Sequence, residues 1–418
     1  MKILHLSHSD RHGGACIAAY RQHQALRAEG VDSAMWVRQK FTQDPAVQVF
    51  RPSLRLGPRS RRLWRRRALR NEAQCVVRGG VFIDDRSEHG GDELTGLPPA
   101  DVINVQSFWK FIDLPSLLDG LPSEVPVVFT MHEMAPFTGG CDYARDCTRF
   151  HEGCGSCPLM GGRDDNDLSH RSWLRKQAVF QAHRRRGLHF VADSHWLADQ
   201  ARQSGLLEGL PISVIHYGLD TNVYRPLDRS TVRDQLQIPA HRPVVCFAAA
   251  NVTDNRKGMR QLVEALQQSR QDPFLLTWGQ NYPQGLSGVD HLHLGTISNE
   301  RLMALAYNAG DVFVMPSLQE AFGLTALESI SCGVPVVAFE AGGIPDTVRH
   351  EETGLLVPVG DSRALAESID RLLGDRDLAA RLGARGREHA VQNFSMQVNA
   401  QAYMELYRSL SAGSGSQL

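Results

Sequence analysis

Glu320 and Glu328 stand eight residues apart in Glu320-Ala-Phe-Gly-Leu-Thr-Ala-Leu-Glu328, directly ahead of Ser-Ile-Ser-Cys-Gly-Val-Pro-Val-Val-Ala. The preceding stretch from Asp311 to Ser317 reads as a short buried strand ending at a turn. Gly323 and Thr325 open a helix that Gly333 and Pro335 close, as a glycine at a helix end and a proline beyond it do. Free amides at a helix start attract anions, phosphate above all. Glu320 hangs over that anion from the loop, and Glu328 lies inside the helix. Carboxylates so placed suit polyhydroxylated ligands, a sugar on one side and a ribose on the other. A nucleotide-sugar site uses all of these parts, with Phe322, Gly323, Leu324 and Thr325 among its binding residues. Two solvated glutamates are what the bare spacing would otherwise mean.

Charge elsewhere completes such a site. Arg256-Lys257-Gly258 lies in a polar loop after a strand, where arginine offers a fork of donors and lysine a point charge to a diphosphate. Breaking the anomeric bond of a nucleotide sugar leaves negative charge on the diphosphate, and preorganised positive groups are commonly the largest catalytic contribution. Gly13-Gly14 lets backbone approach a ligand without a Cβ. His132 ends the strand-like Val127–Met131 and is placed to face a crevice. A loop histidine bonded to backbone is the plain alternative there.

Such residues need a scaffold. A chain of 418 residues suggests two or more domains, since single cores stop growing near ~250–300 residues. Apolar residues make up 42%, and the net charge of -1 gives no overall field pointing to nucleic acid. Short apolar runs alternate with helical stretches, the pattern of a parallel sheet covered by helices. Strand candidates are Ile3–Leu6, Val102–Val105, Val127–Met131, Phe190–Ala192 and Ile212–Ile215, with a helix over Cys16–Glu29. The pattern restarts with Val244–Ala249, Leu275–Trp278, Asp311–Met315 and Val334–Phe339. Two doubly wound α/β halves joined near residue 220 are expected, with ligand at the strand C-terminal ends. A last helix covers about Val398–Leu410, followed by a Gly-Ser-rich tail.

Gly13-Gly14, Phe129-Thr-Met-His132-Glu, Tyr217-Gly-Leu-Asp220, Arg256-Lys257-Gly258 and the block from Glu320 to Val337 together resemble the GT4-type retaining glycosyltransferases. The resemblance runs over nearly the whole chain. It implies the GT-B fold, two Rossmann-like domains with an interdomain cleft. Residues 1–220 would form the acceptor-side domain, with a cysteine-rich insert at 138–160. Residues 221–395 would bind the nucleotide sugar, 396–412 would form a helix crossing back, and 413–418 a tail. Glu320 would hold a donor sugar hydroxyl, Glu328 the ribose and backbone around Ile297 the base. His132 would touch the sugar near the reacting carbon, joining Lys257, Arg256 and Glu320 in the catalytic set. The family retains anomeric configuration by front-face attack, and no catalytic metal is expected.

The bacterial members that build capsular, exopolysaccharide and O-antigen chains carry a Thr-Gly-Gly-Cys run, present here from Thr138. The implied reaction moves a hexose from a nucleoside-diphosphate sugar to a lipid-linked surface-glycan acceptor. A non-catalytic nucleotide-sugar sensor and a GT-B epimerase are the other readings. The chain departs from the family at Ala250-Asn251, where relatives carry an arginine that Arg256 could replace. It departs again at Asn104-Val-Gln106, where they carry a histidine, and at His132-Glu133, where they carry His-Asp.

Cys16, Cys75, Cys246 and Cys332 are scattered, whereas Cys141-x5-Cys147-x6-Cys154-x2-Cys157 packs four thiols closely. In a reducing compartment such density points to metal before disulfides. Four thiolates match tetrahedral structural zinc; free thiols and disulfides stay open. Asp165-Asn-Asp167 is a metal-binding pattern in transferases of another fold, but it sits in a polar loop with no strand before it and reads as solvated.

From Arg51 to Arg70 there are nine arginines and no acidic residue, interleaved with Leu54, Leu56, Leu63, Trp64 and Leu69. That composition suits a helix on an anionic membrane surface, with a solvated basic helix as the alternative. The N-terminal run is too short and too polar for a signal peptide, and no run approaches the ~18 apolar residues of a membrane span. A cytoplasmic protein, peripheral on the inner face of the plasma membrane, is expected.

Overall fold

The computed structural model describes residues 1–52, 56–72 and 80–413. Leu54, Arg55, Cys75 and the tail residues 414–418 lie outside them. The chain divides into two compact units, Met1–His216 with Asn399–Leu418, and Tyr217–Val398.

The first unit runs β1 (Lys2–Ser9), α1 (Gly14–Ala28), β2 (Asp32–Gln39), β3 (Val47–Val49), α2 (Leu56–Glu72), β4 (Val102–Val105), α3 (Leu114–Gly120), β5 (Val127–Met131), α4 (Leu168–Ala182), β6 (Leu188–Ala192), α5 (His195–Gln203) and β7 (Ile212–Val214). Its strands pair in parallel in the order β3-β2-β1-β4-β5-β6-β7. β4, β5 and β6 are buried at every position, as strands covered by helices on both faces must be.

The second unit runs α6 (Arg229–Gln235), β8 (Val244–Asn251), α7 (Met259–Gln268), β9 (Phe274–Gln280), β10 (His291–His293), α8 (Glu300–Asn308), β11 (Val312–Met315), α9 (Leu324–Ser331), β12 (Val336–Phe339), α10 (Ile344–Thr347), β13 (Gly354–Val357), α11 (Ser362–Gly374) and α12 (Arg376–Phe394). Its parallel order is β10-β9-β8-β11-β12-β13. α13 (Met396–Gly413) follows, and from Asn399 onward it belongs to the first unit.

Each sheet reverses its winding beside its first strand, between β1 and β4 and between β8 and β11. At such a switch point the loops leaving the strand C-termini diverge and open a crevice. The loops after those four strands are therefore where each sheet offers a site.

Parallel strands bury polar side chains only when these find partners, and the first unit does so through α13. Buried Tyr407 accepts from Asn104 Nδ2 at 2.6 Å and from Gln22 Nε2 at 3.1 Å. Thr130 Oγ1 donates to Asn104 Oδ1 at 3.0 Å and stands 3.2 Å from the Tyr403 hydroxyl. Gln106 continues the chain of bonds, donating to Gln22 Oε1 at 2.5 Å.

Candidate functional site

In the second unit the site is built on the β8 and β11 loops. The Asp254 carboxylate accepts the Arg256 amide at 2.9 Å and starts a single 3-10 turn over Asn255–Lys257. Gly258 ends that turn at φ +76°, and a Cβ there would lie 1.8 Å from the Pro316 carbonyl oxygen. Only glycine allows this approach. The Leu318 amide then donates to the Arg256 carbonyl at 2.8 Å, tying the two loops together.

The result is an ion pair at the switch point. Lys257 Nζ donates to Glu320 Oε2 at 2.5 Å. Arg256 Nη1 lies 3.7 Å from the same oxygen and donates to the Gln319 carbonyl at 2.9 Å. Burial works against the charge on Glu320, but Lys257, Arg256 and the hydrogen bonds from Lys257 and Ser317 hold its carboxyl below the usual range.

Gly323 (φ +98°) caps α9, with no side chain bonded over the first amides and no acidic residue in the first turn. That leaves the helix start receptive to an anion. Glu328 is buried on the same helix and accepts the Tyr307 hydroxyl at 2.8 Å. Phe322 is buried under the loop; Leu324 and Thr325 are half-buried. Ile297, in the loop between β10 and α8, packs against the core of this unit. Thus Arg256, Lys257 and Glu320 meet directly, and Glu328 is held by Tyr307. Ala341-Gly342-Gly343 is a further part of the site: the Gly343 amide donates to the Glu320 carbonyl at 2.9 Å, and a Cβ on Gly342 (φ +56°) would lie 2.0 Å from that oxygen. A glycine pair three residues past the end of β12 is the signal for it.

In the first unit Gly13 (φ +89°) caps α1 with no side-chain bond, and nothing lies within 4 Å of where its Cβ would be. Gly14 is the first helical residue, so α1 begins two residues ahead of the expected Cys16. His132 follows β5, half-buried, and its Nε2 donates to Gln106 Oε1 at 3.0 Å. Loss of water lowers its pKa to about 3. His23 is lowered to about 4 and His5 well below its ordinary value, again chiefly by burial.

An unfolded chain protonates its histidines near pH 6.5, where these three in the fold stay neutral. Folding of this unit is therefore expected to be favoured fully above about pH 6.5 and to weaken as pH falls toward 4. Thermal unfolding across that window measures it, and a midpoint unchanged from pH 7 to 5 would defeat the assignment.

A cavity of about 850 Å³ also opens in this unit, lined in part by Arg66, Phe82, Glu88, Trp109 and Lys110. The Trp109 ring lies 5.8 Å from that of His8, with Lys110 Nζ 4.2 Å above it. Nothing in the local spacing announced it.

Four arginines of α2 pair with carboxylates of the same unit. Arg61 and Arg65 pair with Asp92 at 2.8 and 3.0 Å, Arg66 with Glu88 at 2.5 Å, and Arg62 with buried Glu93 at 3.8 Å. The acidic partners lie beyond the arginine run in sequence, so the run itself looked unbalanced. The face turned outward carries Leu63 and Trp64, 61% and 73% exposed. Asp167 caps α4, accepting from Ser169 and His170 amides at 2.8 and 3.1 Å, while Asp165 is exposed and accepts from Ser156 Oγ.

Residues 228–389 match the family model for glycosyl transferases group 1. The alpha-maltose-1-phosphate synthase of Mycolicibacterium smegmatis is 30% identical over 269 residues, 58% of this chain and 67% of that protein. The chain belongs to the group 1 glycosyltransferases. A second member, the D-inositol 3-phosphate glycosyltransferase of Nocardia farcinica, is 34% identical over 50% of this chain, which spans only 51% of that relative. Among solved structures, Anabaena Alr3699/HepE in complex with UDP and glucose matches with a TM-score of 0.65 and 20% identity, covering 98% of this chain and all of that one. The two parallel-sheet units are those of the GT-B fold.

Proposed function

We propose that this group 1 glycosyltransferase moves a hexose, with retention, from a nucleoside-diphosphate sugar to a lipid-linked surface-glycan acceptor. The observation that carries the reading is the Lys257–Glu320 pair at the switch point of the second sheet, beside the open start of α9. Lys257 and Arg256 bind the diphosphate and stabilise it as it leaves, with the amides after Gly323 adding partial positive charge. Glu320 then holds a sugar hydroxyl, Glu328 the ribose, and backbone at Ile297 the base. Within the first unit Gly13 and Gly14 follow β1 and His132 follows β5, where a neutral His132 offers hydrogen bonds without charge. A fold neighbour that holds UDP and glucose supports this donor class.

Thermal-shift measurements with UDP-, GDP-, dTDP- and ADP-sugars test the donor, and one of them should raise the midpoint. Slow release of nucleoside diphosphate without acceptor marks a transferase; binding with no turnover at all would leave only a sensor. Since lysine, arginine and helix amides supply the charge, turnover is expected to need no added divalent cation. Loss in EDTA restored by magnesium, and not by zinc, would overturn that.

The enzyme works at the inner face of the plasma membrane, where α2 leads with Leu63 and Trp64 while its paired arginines hold it to the unit. Replacing both outward residues by serine is expected to lower co-sedimentation with anionic vesicles several-fold and to leave activity on a soluble acceptor unchanged. Equal sedimentation of variant and parent would remove the membrane from the proposal.

A further inference from the structure

We propose that Cys141, Cys147, Cys154 and Cys157 hold one zinc ion, and that this ion fastens the wall of the first unit's cavity. The four side chains, with Cys141 at a β-bridge and Cys157 capping a 3-10 segment, line a single space of about 20 Å³. That is room for one ion rather than a cluster; no three of the four sulfurs stand within 4.8 Å of one another, so the ion must draw them in. None of the four is in a disulfide.

The backbone is bent to bring them there. Cys154, Gly155 and Ser156 all have left-handed φ, +54°, +95° and +41°, folding the Cys-Gly-Ser-Cys stretch back on itself. A Cβ on Gly155 would lie 2.3 Å from the Asp165 carbonyl oxygen. Two non-glycine residues in this region are strained, and such strain persists only where the surroundings fix it. Four thiols around a tetrahedral ion are a fixing of that kind.

The surroundings suit an anionic sulfur centre. The Gly139 amide donates to Cys154 Sγ at 3.1 Å, the sort of outer bond that orients metal-bound thiolates. Lys176 is buried near Cys141 and Cys154, donating to the carbonyls of Ala135 at 2.6 Å and Thr138 at 2.9 Å. The Asp85 carboxylate already supplies negative charge to this buried ammonium, and zinc with four thiolates adds to it.

The same loop carries the cavity wall. Cys141 forms an antiparallel bridge with Phe82, the Ile83 amide donates to the Gly140 carbonyl at 2.6 Å, and the Asp142 amide to the Val81 carbonyl at 3.2 Å. Val81 and Phe82 line the 850 Å³ cavity. Fixing the cysteine loop therefore fixes that wall, whatever sugar chemistry the enzyme performs.

Elemental analysis of the full-length protein, prepared without added metal, should find about one zinc per chain. Cys154→Ser should lose it and Cys246→Ser, in the second unit, keep it. Cobalt(II) exchanged into the parent protein should give sulfur charge-transfer and tetrahedral visible bands, which needs no variant to fold. Removing the metal with a chelator should speed amide exchange at residues 80–83 as well as 138–157. Metal-free protein whose four thiols are readily alkylated, or joined as disulfides, overturns the site. Unchanged exchange at 80–83 after zinc release overturns its link to the wall.

Discussion

Replacing Lys257 or Glu320 by alanine is expected to lower the transfer rate by roughly two or more orders of magnitude, the usual cost of removing charge stabilisation aimed at a reacting group. The two side chains share one short hydrogen bond, so their losses should be less than additive in the double variant. Glu320→Ala leaves Lys257 without its partner and costs some stability, as breaking a half-buried pair does. Glu320→Gln keeps the shape and a hydrogen bond, and should retain more of the fold than of the activity. The decisive measurement is turnover of the nucleotide sugar together with the unfolding midpoint. A drop in midpoint with near-normal turnover would make the pair a structural clamp and remove it from the site.

How much of this was legible in the residues differs from part to part. Parallel strands buried on both faces announce themselves as apolar runs, and Val102–Val105 and Val127–Met131 have the expected bounds. β2 reads Asp-Ser-Ala-Met-Trp-Val-Arg-Gln, whose polar ends hide its strand. β10 and β13 are short and framed by turn residues, and neither was foreseen. At the second unit's site, a glycine-to-helix junction between two glutamates carries its own local signal. The cavity lined by Phe82 and Trp109 carries none, because its wall is assembled from segments far apart in the chain. The same holds for the arginines of α2, four of which pair with the later Glu88, Asp92 and Glu93. Asn104 and Gln106, departures from the family pattern, hold the hydroxyl of Tyr407 and the ring of His132 through bonds made some 300 and 26 residues away.

Gly258→Ala and Gly342→Ala are expected to disable the second unit's site without touching a charged group. Each glycine has a left-handed φ, and each would set a Cβ about 2 Å or less from a carbonyl oxygen, of Pro316 in one case and Glu320 in the other. A left-handed residue with a side chain costs about 1–2 kcal/mol, and backbone oxygens cannot swing aside as a flexible side chain would. The chain must therefore shift at the loop that carries Lys257 or at the loop that carries Glu320. Misplacement of about 1 Å is enough for a hundredfold loss when reacting groups must be aligned. Both variants should lose at least that much turnover, with a destabilisation of about 2–4 kcal/mol, in the range of strained-backbone changes. Gly285→Ala is the control, since its φ is also left-handed at +78° but nothing lies within 4 Å of its Cβ. It should cost stability by strain alone and leave turnover near that of the parent. If Gly258→Ala and Gly342→Ala behave like this control, close packing of the two loops is not what holds Lys257 against Glu320.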